Sequence, residues 1–227
     1  MDALDIARGP LLTISLGVFI LGTLWRLANI ALRPRMADRS LAREGAPSWI
    51  MGAWGNILRG MWPRPEFSQS ALITTLNGYV LHIGLALVVF GYAPHIAFIH
   101  RITGLSWPAL PDVVMYLAAG ATIISMLMAL VFRLTNPVRR KISHADDWIT
   151  WVIVMLPIAT GMAVLIDPSA QILARENPIY RGPLALHLLT LELLLVWFPF
   201  GKLMHAFLFV FSRGATGVRF SHRGVKL

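Results

Sequence analysis

Apolar residues in this chain run in long blocks, and five of those blocks are long enough to cross a bilayer. A hydrocarbon core about 30 Å thick needs about 20 apolar residues in helical conformation. The pattern predicts spans from roughly Pro10 to Leu32, Ala71 to Ala93, Pro111 to Leu134, Trp148 to Ile166 and Leu184 to Ser212. Backbone groups in lipid cannot turn to water, so each block is read as a helix. The fold class is an all-α membrane protein, a five-transmembrane-helix bundle forming a single domain over residues 1–227. The first block is followed by four others and lacks a basic cluster at its amino end, so it reads as a span and not as a cleaved signal.

The connector from 33 to 70 is long for a bundle. Within it, between Pro47 and Trp62, the residues Trp49, Ile50, Trp54, Ile57, Leu58 and Met61 recur at helical spacing. That pattern suits an amphipathic helix lying in the membrane interface. It equally suits a segment packed on a partner subunit.

Composition agrees with the block pattern. Apolar residues make up 56% of the chain and charged residues 14%, against about 25% charged in a soluble globule. That balance excludes a soluble enzyme, a disordered chain and a nucleic-acid binder, despite a formal net charge of +9. The positive charge has a topological reading instead. Arg8, Arg101, Arg175 and Arg181 fall on one side. The other side holds Arg33, Arg35, Arg39, Arg43, Arg59, Arg64, Arg133, Arg139, Arg140, Lys141, Arg213, Arg219, Arg223 and Lys226. The asymmetry predicts an amino terminus outside and a cytoplasmic carboxyl terminus, with 213–227 as a cytoplasmic tail, for a multi-pass protein of the inner (cytoplasmic) membrane. The chain has no cysteine, which removes disulfides, thiolate-held iron–sulfur clusters and covalent c-type haem.

Five of the seven histidines lie within the second and fifth spans or just beyond the second: His82, His95, His100, His187 and His205. Ionisable groups at membrane depth are costly and mark functional sites. On an ideal helix, His187 and His205 are 18 residues and roughly 27 Å apart on one face. Antiparallel packing would pair His82 with His205 near the inner face, and His95 or His100 with His187 near the outer face. Two bis-imidazole sites suit haem iron used for electron transfer; zinc would want a third protein ligand. Pro94 interrupts the regular helix count, so His95 is assigned to the outer iron, with His100 as the alternative.

Three stretches carry a family resemblance: HIGLALVVFG from His82, NPVRRKISHADDWITWVIV entering the fourth span, and LHLLTLELLLVWFPFGKLMH from Leu186 to His205. Over residues 71–212 the chain resembles the gamma subunit of respiratory nitrate reductase, a five-helix dihaem cytochrome b. It is also similar to the cytochromes b of heterodisulfide-reductase-like and sulfite-reductase-associated membrane complexes. The resemblance implies two b-type haems, quinol oxidation, and electron delivery to a cytoplasmic iron–sulfur subunit that serves a further catalytic subunit. The chain departs from the nitrate reductase pattern at Tyr92, where that family has its second ligand. It departs again around Asp112 to Ala118, which lack the family's lysine, and in the long connector before the second span.

Glu192, five residues from His187, is the one carboxylate well inside a span, and with Arg101 it is a candidate for quinone binding and proton transfer. Its other reading is a neutral side chain bonded to a neighbouring helix. Arg133, Lys202 and Arg181 are candidate partners of haem propionates, or ordinary membrane-end anchors. Gly84, Gly91, Gly120 and Gly161 are positions of possible close approach. The function expected is that of an electron-transfer subunit of a quinol/quinone oxidoreductase complex. A cytochrome b that runs electrons toward quinone, a haem-free membrane anchor and a small transporter are the competing readings.

Overall fold

The computed structural model describes residues 2–34, 38–165 and 178–225. Arg35, Arg175 and Lys226 of the charge asymmetry, and the end of the fourth expected span at Ile166, lie outside the described residues. Every regular element among those residues is helical. The first helical stretch consists of α1 (Ala3–Ile6), a π-helical turn (Ala7–Leu11) and α2 (Leu12–Ala31). Pro10 causes the turn, because it has no N–H to give the preceding turn, and Gly9 beside it leaves helical geometry. After α3 (Trp49–Arg59), a 3₁₀ turn at Pro65–Phe67 leads into α4 (Ser68–Gly91). Then come α5 (Ala93–Thr103), α6 (Asp112–Thr135), the short α7 (Pro137–Lys141) and α8 (Ala145–Leu165). The last elements are α9 (Pro178–Trp197), a 3₁₀ turn at Lys202–Met204, and α10 (His205–Arg223).

Among the described residues, four helices are long and apolar enough to cross a membrane: Ala3–Ala31, Pro65–Gly91, Asp112–Thr135 and Ala145–Val164. A fifth is present if Arg181–Trp197 and Lys202–Arg223 are one broken span. This corrects the expected continuous helix from Leu184 to Ser212. The chain leaves helical geometry over Phe198–Gly201. Pro199 cannot donate into the ladder, and the Trp197 carbonyl instead takes the N–H groups of both Phe200 (3.1 Å) and Gly201 (3.0 Å). The 18-residue count from His187 to His205 therefore does not run along one helix axis.

By its internal packing the chain divides into two compact units. One comprises Met1–Thr13 and Ile73–Leu194, the other Ile14–Leu72 and Leu195–Leu227. In the first, α4 and α6 are latched reciprocally: Asn77 donates its amide to the Ser125 carbonyl (3.0 Å), and the Ser125 hydroxyl donates to the Asn77 carbonyl (2.7 Å). In a medium without water such side-chain bonds replace the hydrophobic drive between helices. Trp151 of α8 donates its indole N–H to the Met126 carbonyl of α6 (3.0 Å).

The second unit is built on α2, the Phe198–Gly201 corner and the α3–α10 pair. Phe198 packs edge-on against Phe19 (5.1 Å) and against Phe207 (5.7 Å). Helix α3 starts at Ser48, whose hydroxyl caps the Met51 N–H (3.3 Å). It runs antiparallel to the polar half of α10. Gly217 lies directly against the Gly52 carbonyl, where any Cβ would overlap backbone. The Asn56 amide donates to the Arg213 carbonyl (2.7 Å). A strap over 38–43 closes the end of α10. Arg223 bonds Asp38 (2.9 Å), His222 donates a ring N–H to the Ser40 carbonyl (2.9 Å), and the Arg43 N–H bonds the His222 carbonyl (2.9 Å).

Candidate functional site

The site in the first unit begins with a helix that stops. Helix α4 ends at Gly91, Tyr92 is extended (φ −81°, ψ 128°), and α5 restarts with Pro94 in its first turn. Proline there is favourable because first-turn N–H groups have no intrahelical partner. Its missing N–H leaves the Phe90 carbonyl without a helical donor, and three carbonyls at the end of α4 take other donors. Phe90 accepts from the Trp107 indole (2.5 Å), and Gly91 from the Leu110 N–H (2.8 Å). The Val88 carbonyl accepts from Nδ1 of His95 (2.8 Å), which folds that imidazole back against α4. Tyr92 stands edge-on to the same ring at 5.2 Å, with the two planes 85° apart.

His187, on α9, lies opposite. The two imidazole centroids are 6.2 Å apart and their planes are 19° from parallel. On the far side of His187 is α8, where Pro157 interrupts the ladder and Thr160 and Gly161 follow. Thr160 Oγ1 is 3.3 Å from His187 Nδ1 and 3.0 Å from the Thr190 hydroxyl. The Thr160 hydroxyl lies 2.7 Å from the Leu156 carbonyl, to which it donates, and the Thr190 hydroxyl 2.8 Å from the His187 carbonyl. With the Thr160 proton given to Leu156, its oxygen accepts from His187 Nδ1–H. A Cβ on Gly161 would come within 3.1 Å of Cε1 of His187, so this position takes glycine to let the ring approach α8 closely.

A carbonyl only accepts, so His95 carries its proton on Nδ1 and leaves Nε2 as the basic nitrogen. The same holds at the other two expected ligands. His82 on α4 bonds the Gly78 carbonyl through Nδ1 (2.7 Å), and His205 at the start of α10 bonds the Lys202 carbonyl through Nδ1 (2.9 Å). His82 belongs to the first unit and His205 to the second. His100 also bonds through Nδ1, to the Gly104 carbonyl beyond the end of α5 (3.1 Å), and its side chain is exposed. The tautomer therefore does not separate the histidines, whereas position does: His95 is the one whose ring lies beside His187.

Glu192 is 3% exposed, and neither of its carboxyl oxygens has a hydrogen-bond partner among the described residues. Arg101 is exposed on α5, with its guanidinium 5.6 Å from the Phe98 ring centroid. The three expected propionate partners have other environments. Arg133 pairs with Asp147 (3.2 Å) and bonds Ser143 (2.9 Å). Arg181 pairs with Asp2 (2.5 Å) and Asp5 (3.4 Å) of the amino-terminal helix. Lys202 is exposed, at the start of the 3₁₀ turn that precedes His205. Of the other glycines singled out, Gly84 lies against Thr122 and Gly91 against Leu110, while Gly120 faces open space.

Among the described residues no group of three or more His, Cys, Asp or Glu side chains could hold a metal ion. Sequence reasoning missed Thr160 and Thr190. Thr190 has one signal, a hydroxyl one turn from His187. Thr160 lies 27 residues away on another helix and has none, and threonines elsewhere in these helices simply bond their own preceding turn.

No family model matches the chain, and no solved structure does. The chain is similar to a protein of Nitratidesulfovibrio vulgaris (strain Hildenborough), described only as a protein. The two are 28% identical over 225 residues, which cover 94% of this chain and 91% of that one.

Proposed function

We propose that the chain is a membrane cytochrome b subunit that carries two b-type haems. It exchanges electrons between the quinone pool and a cytoplasmic iron–sulfur partner of a respiratory complex. The observation that carries this reading is the His95–His187 pair. The two ring centroids are 6.2 Å apart, a spacing that would let both imidazoles hold one metal ion at bonds of about 2 Å each. His95 and His187, with near-parallel rings and both Nδ1 atoms held from behind, are the residues that would hold one haem iron. The absence of a third ligand residue in the described set favours haem over zinc.

In this reading a bound haem supplies reversible one-electron chemistry, and the chain's own residues orient and insulate it. The Val88 carbonyl and the Thr160 hydroxyl hold the Nδ1 protons of His95 and His187 and so raise the basicity of each Nε2. Gly161 leaves room for the His187 ring. Glu192, buried and without a hydrogen-bond partner among the described residues, is the group that would hold or release a proton for a quinone, and Arg101 joins it on the sequence pattern alone. The second haem is assigned to His82 and His205 on the sequence pattern alone. The orientation, amino terminus outside, rests on the arginine asymmetry; a reporter fused in the 139–147 loop should read cytoplasmic.

The assignment to a complex like nitrate reductase, with a further catalytic subunit, rests on the resemblance of residues 71–212 alone. The direct test is reduction by quinol of the purified, membrane-reconstituted chain. Quinol should reduce a b-type chromophore. Purified chain with no chromophore would leave the membrane-anchor reading.

A further inference from the structure

Helix α3 is amphipathic in an unusual sense: its polar and small residues, together with Ile57, face its protein neighbour, and most of its large apolar residues face away. Gly52 and Ile57 are buried, and Asn56 spends its amide on the Arg213 carbonyl of α10 (2.7 Å). Gly60 is covered by the Arg213 guanidinium, which sits at the carbonyl end of α3, where a cation meets the negative pole of the helix. Around the opposite side run Ile50, Met51, Trp54 and Leu58, exposed by 49%, 67%, 55% and 64%. Positions 50, 54 and 58 repeat every four residues and form one stripe along the helix. The stripe continues past the helix end into Met61 and Trp62, which are also exposed. The close glycine contacts with α10 and the 38–43 strap hold it on a fixed support.

We propose that this stripe is seated in the headgroup–acyl boundary of an anionic leaflet, on the same side as the carboxyl-terminal tail. Two observations choose lipid over a protein partner. The first is reach. Only residues 60–64 separate α3 from the helical stretch Pro65–Gly91 that is apolar enough to cross the membrane. Five extended residues cover at most roughly 18 Å, so the end of α3 cannot move far from the bilayer surface. The second is charge. The described parts of 33–70 and 213–225 carry eight arginines against Asp38, Glu44 and Glu66, and Asp38 is already paired with Arg223. Exposed Arg59 and Arg64 flank the stripe at the end nearer the span. An apolar face with tryptophan and a basic border is the chemistry of an interfacial helix on anionic lipid. This inference does not depend on haem.

The chain contains no cysteine, so Leu58→Cys, Ile50→Cys and Arg59→Cys each give one labelling site in the full-length protein. Each variant is labelled with a polarity-sensitive fluorophore and reconstituted in vesicles of phosphatidylcholine, with or without phosphatidylglycerol. Acyl-chain-brominated lipid serves as quencher. The labels at 58 and 50 should be blue-shifted and quenched, more strongly with phosphatidylglycerol, while the label at 59 should be quenched least. Labels at 58 and 50 that report water in both vesicles would overturn the proposal, and their burial only on addition of a co-purifying subunit would assign the face to protein. Equal quenching in the two vesicle types would overturn the anionic headgroup assignment.

Discussion

The imidazoles of His95 and His187, 92 positions apart in sequence, lie 6.2 Å apart with planes 19° from parallel. A helix break brings His95 there. Pro94 opens the end of α4, and the ring turns back onto the Val88 carbonyl at 2.8 Å. His100, five residues on, bonds the Gly104 carbonyl on the exposed side of α5. His95→Ala should therefore lose one haem and keep the other, while His100→Ala should keep both. Haem quantified per chain checks this. Loss in the His100 variant alone would transfer the ligand role to His100.

Thr160 is the side chain through which α8 holds His187, beside the Pro157 carbonyl of the same helix. Thr160→Val keeps the shape and removes the hydroxyl that accepts from Nδ1. The haem should stay bound, and its midpoint potential should rise, because a less basic imidazole stabilises oxidised iron less. One hydrogen bond of about 1 kcal/mol corresponds to roughly 40 mV for a one-electron couple at about 59 mV per tenfold. Thr160→Ser should restore the wild-type value. A spectroelectrochemical titration in which all three proteins coincide would return Thr160 to helix packing.

Glu192→Gln preserves the volume of a buried side chain whose oxygens have no partner among the described residues. Haem content should not change. Quinol-dependent haem reduction should fall by about 100-fold if the carboxyl takes the proton, with dithionite reduction unaffected. Unchanged quinol rates in stopped flow would make Glu192 a structural residue.

The 38–43 strap gives a pH-dependent expectation. The hydrogen bond from Arg223, then those from Ser40, hold the Asp38 carboxyl well below the ordinary carboxylate range. A depressed folded value means the contact contributes fully above the unfolded carboxylate pKa, near 4. It is lost as pH falls through the folded value. Asp38→Asn should speed tryptic cleavage after Arg39 and Arg43 at neutral pH by a few-fold at most, since exposed ion pairs are worth little. A cleavage pattern identical to wild type would show that the His222 and Arg43 backbone bonds hold the strap unaided.

The spans were legible because a bilayer demands length and apolarity that few soluble segments satisfy. The stop at Gly91–Tyr92 was legible through Pro94. The break at Phe198–Gly201 was not read, although Pro199 marks it. There the apolar block runs on without interruption, and hydropathy does not register a lost backbone donor. Thr160 and Thr190 were hidden for a different reason. Thr103 and Thr135 also sit in helices, and they merely donate to the carbonyls of Ile99 and Val131. A threonine that bonds its own turn and one that orients a histidine on another helix look alike in sequence. The inward amide of Asn56 in α3 was likewise invisible, because the stripe of Trp54 and Leu58 indicates an amphipathic helix without saying which face meets protein.

On the proposed function, His95 and His187 would together hold one haem iron. The most direct measurement is the visible and electron paramagnetic resonance spectra of the purified protein beside His187→Ala, with haem quantified in both. Wild type should show low-spin b-type haem at two per chain, and the variant one per chain with the remaining signal unaltered. A wild-type protein without haem, or a His187→Ala protein that keeps both haems low-spin, would contradict the account.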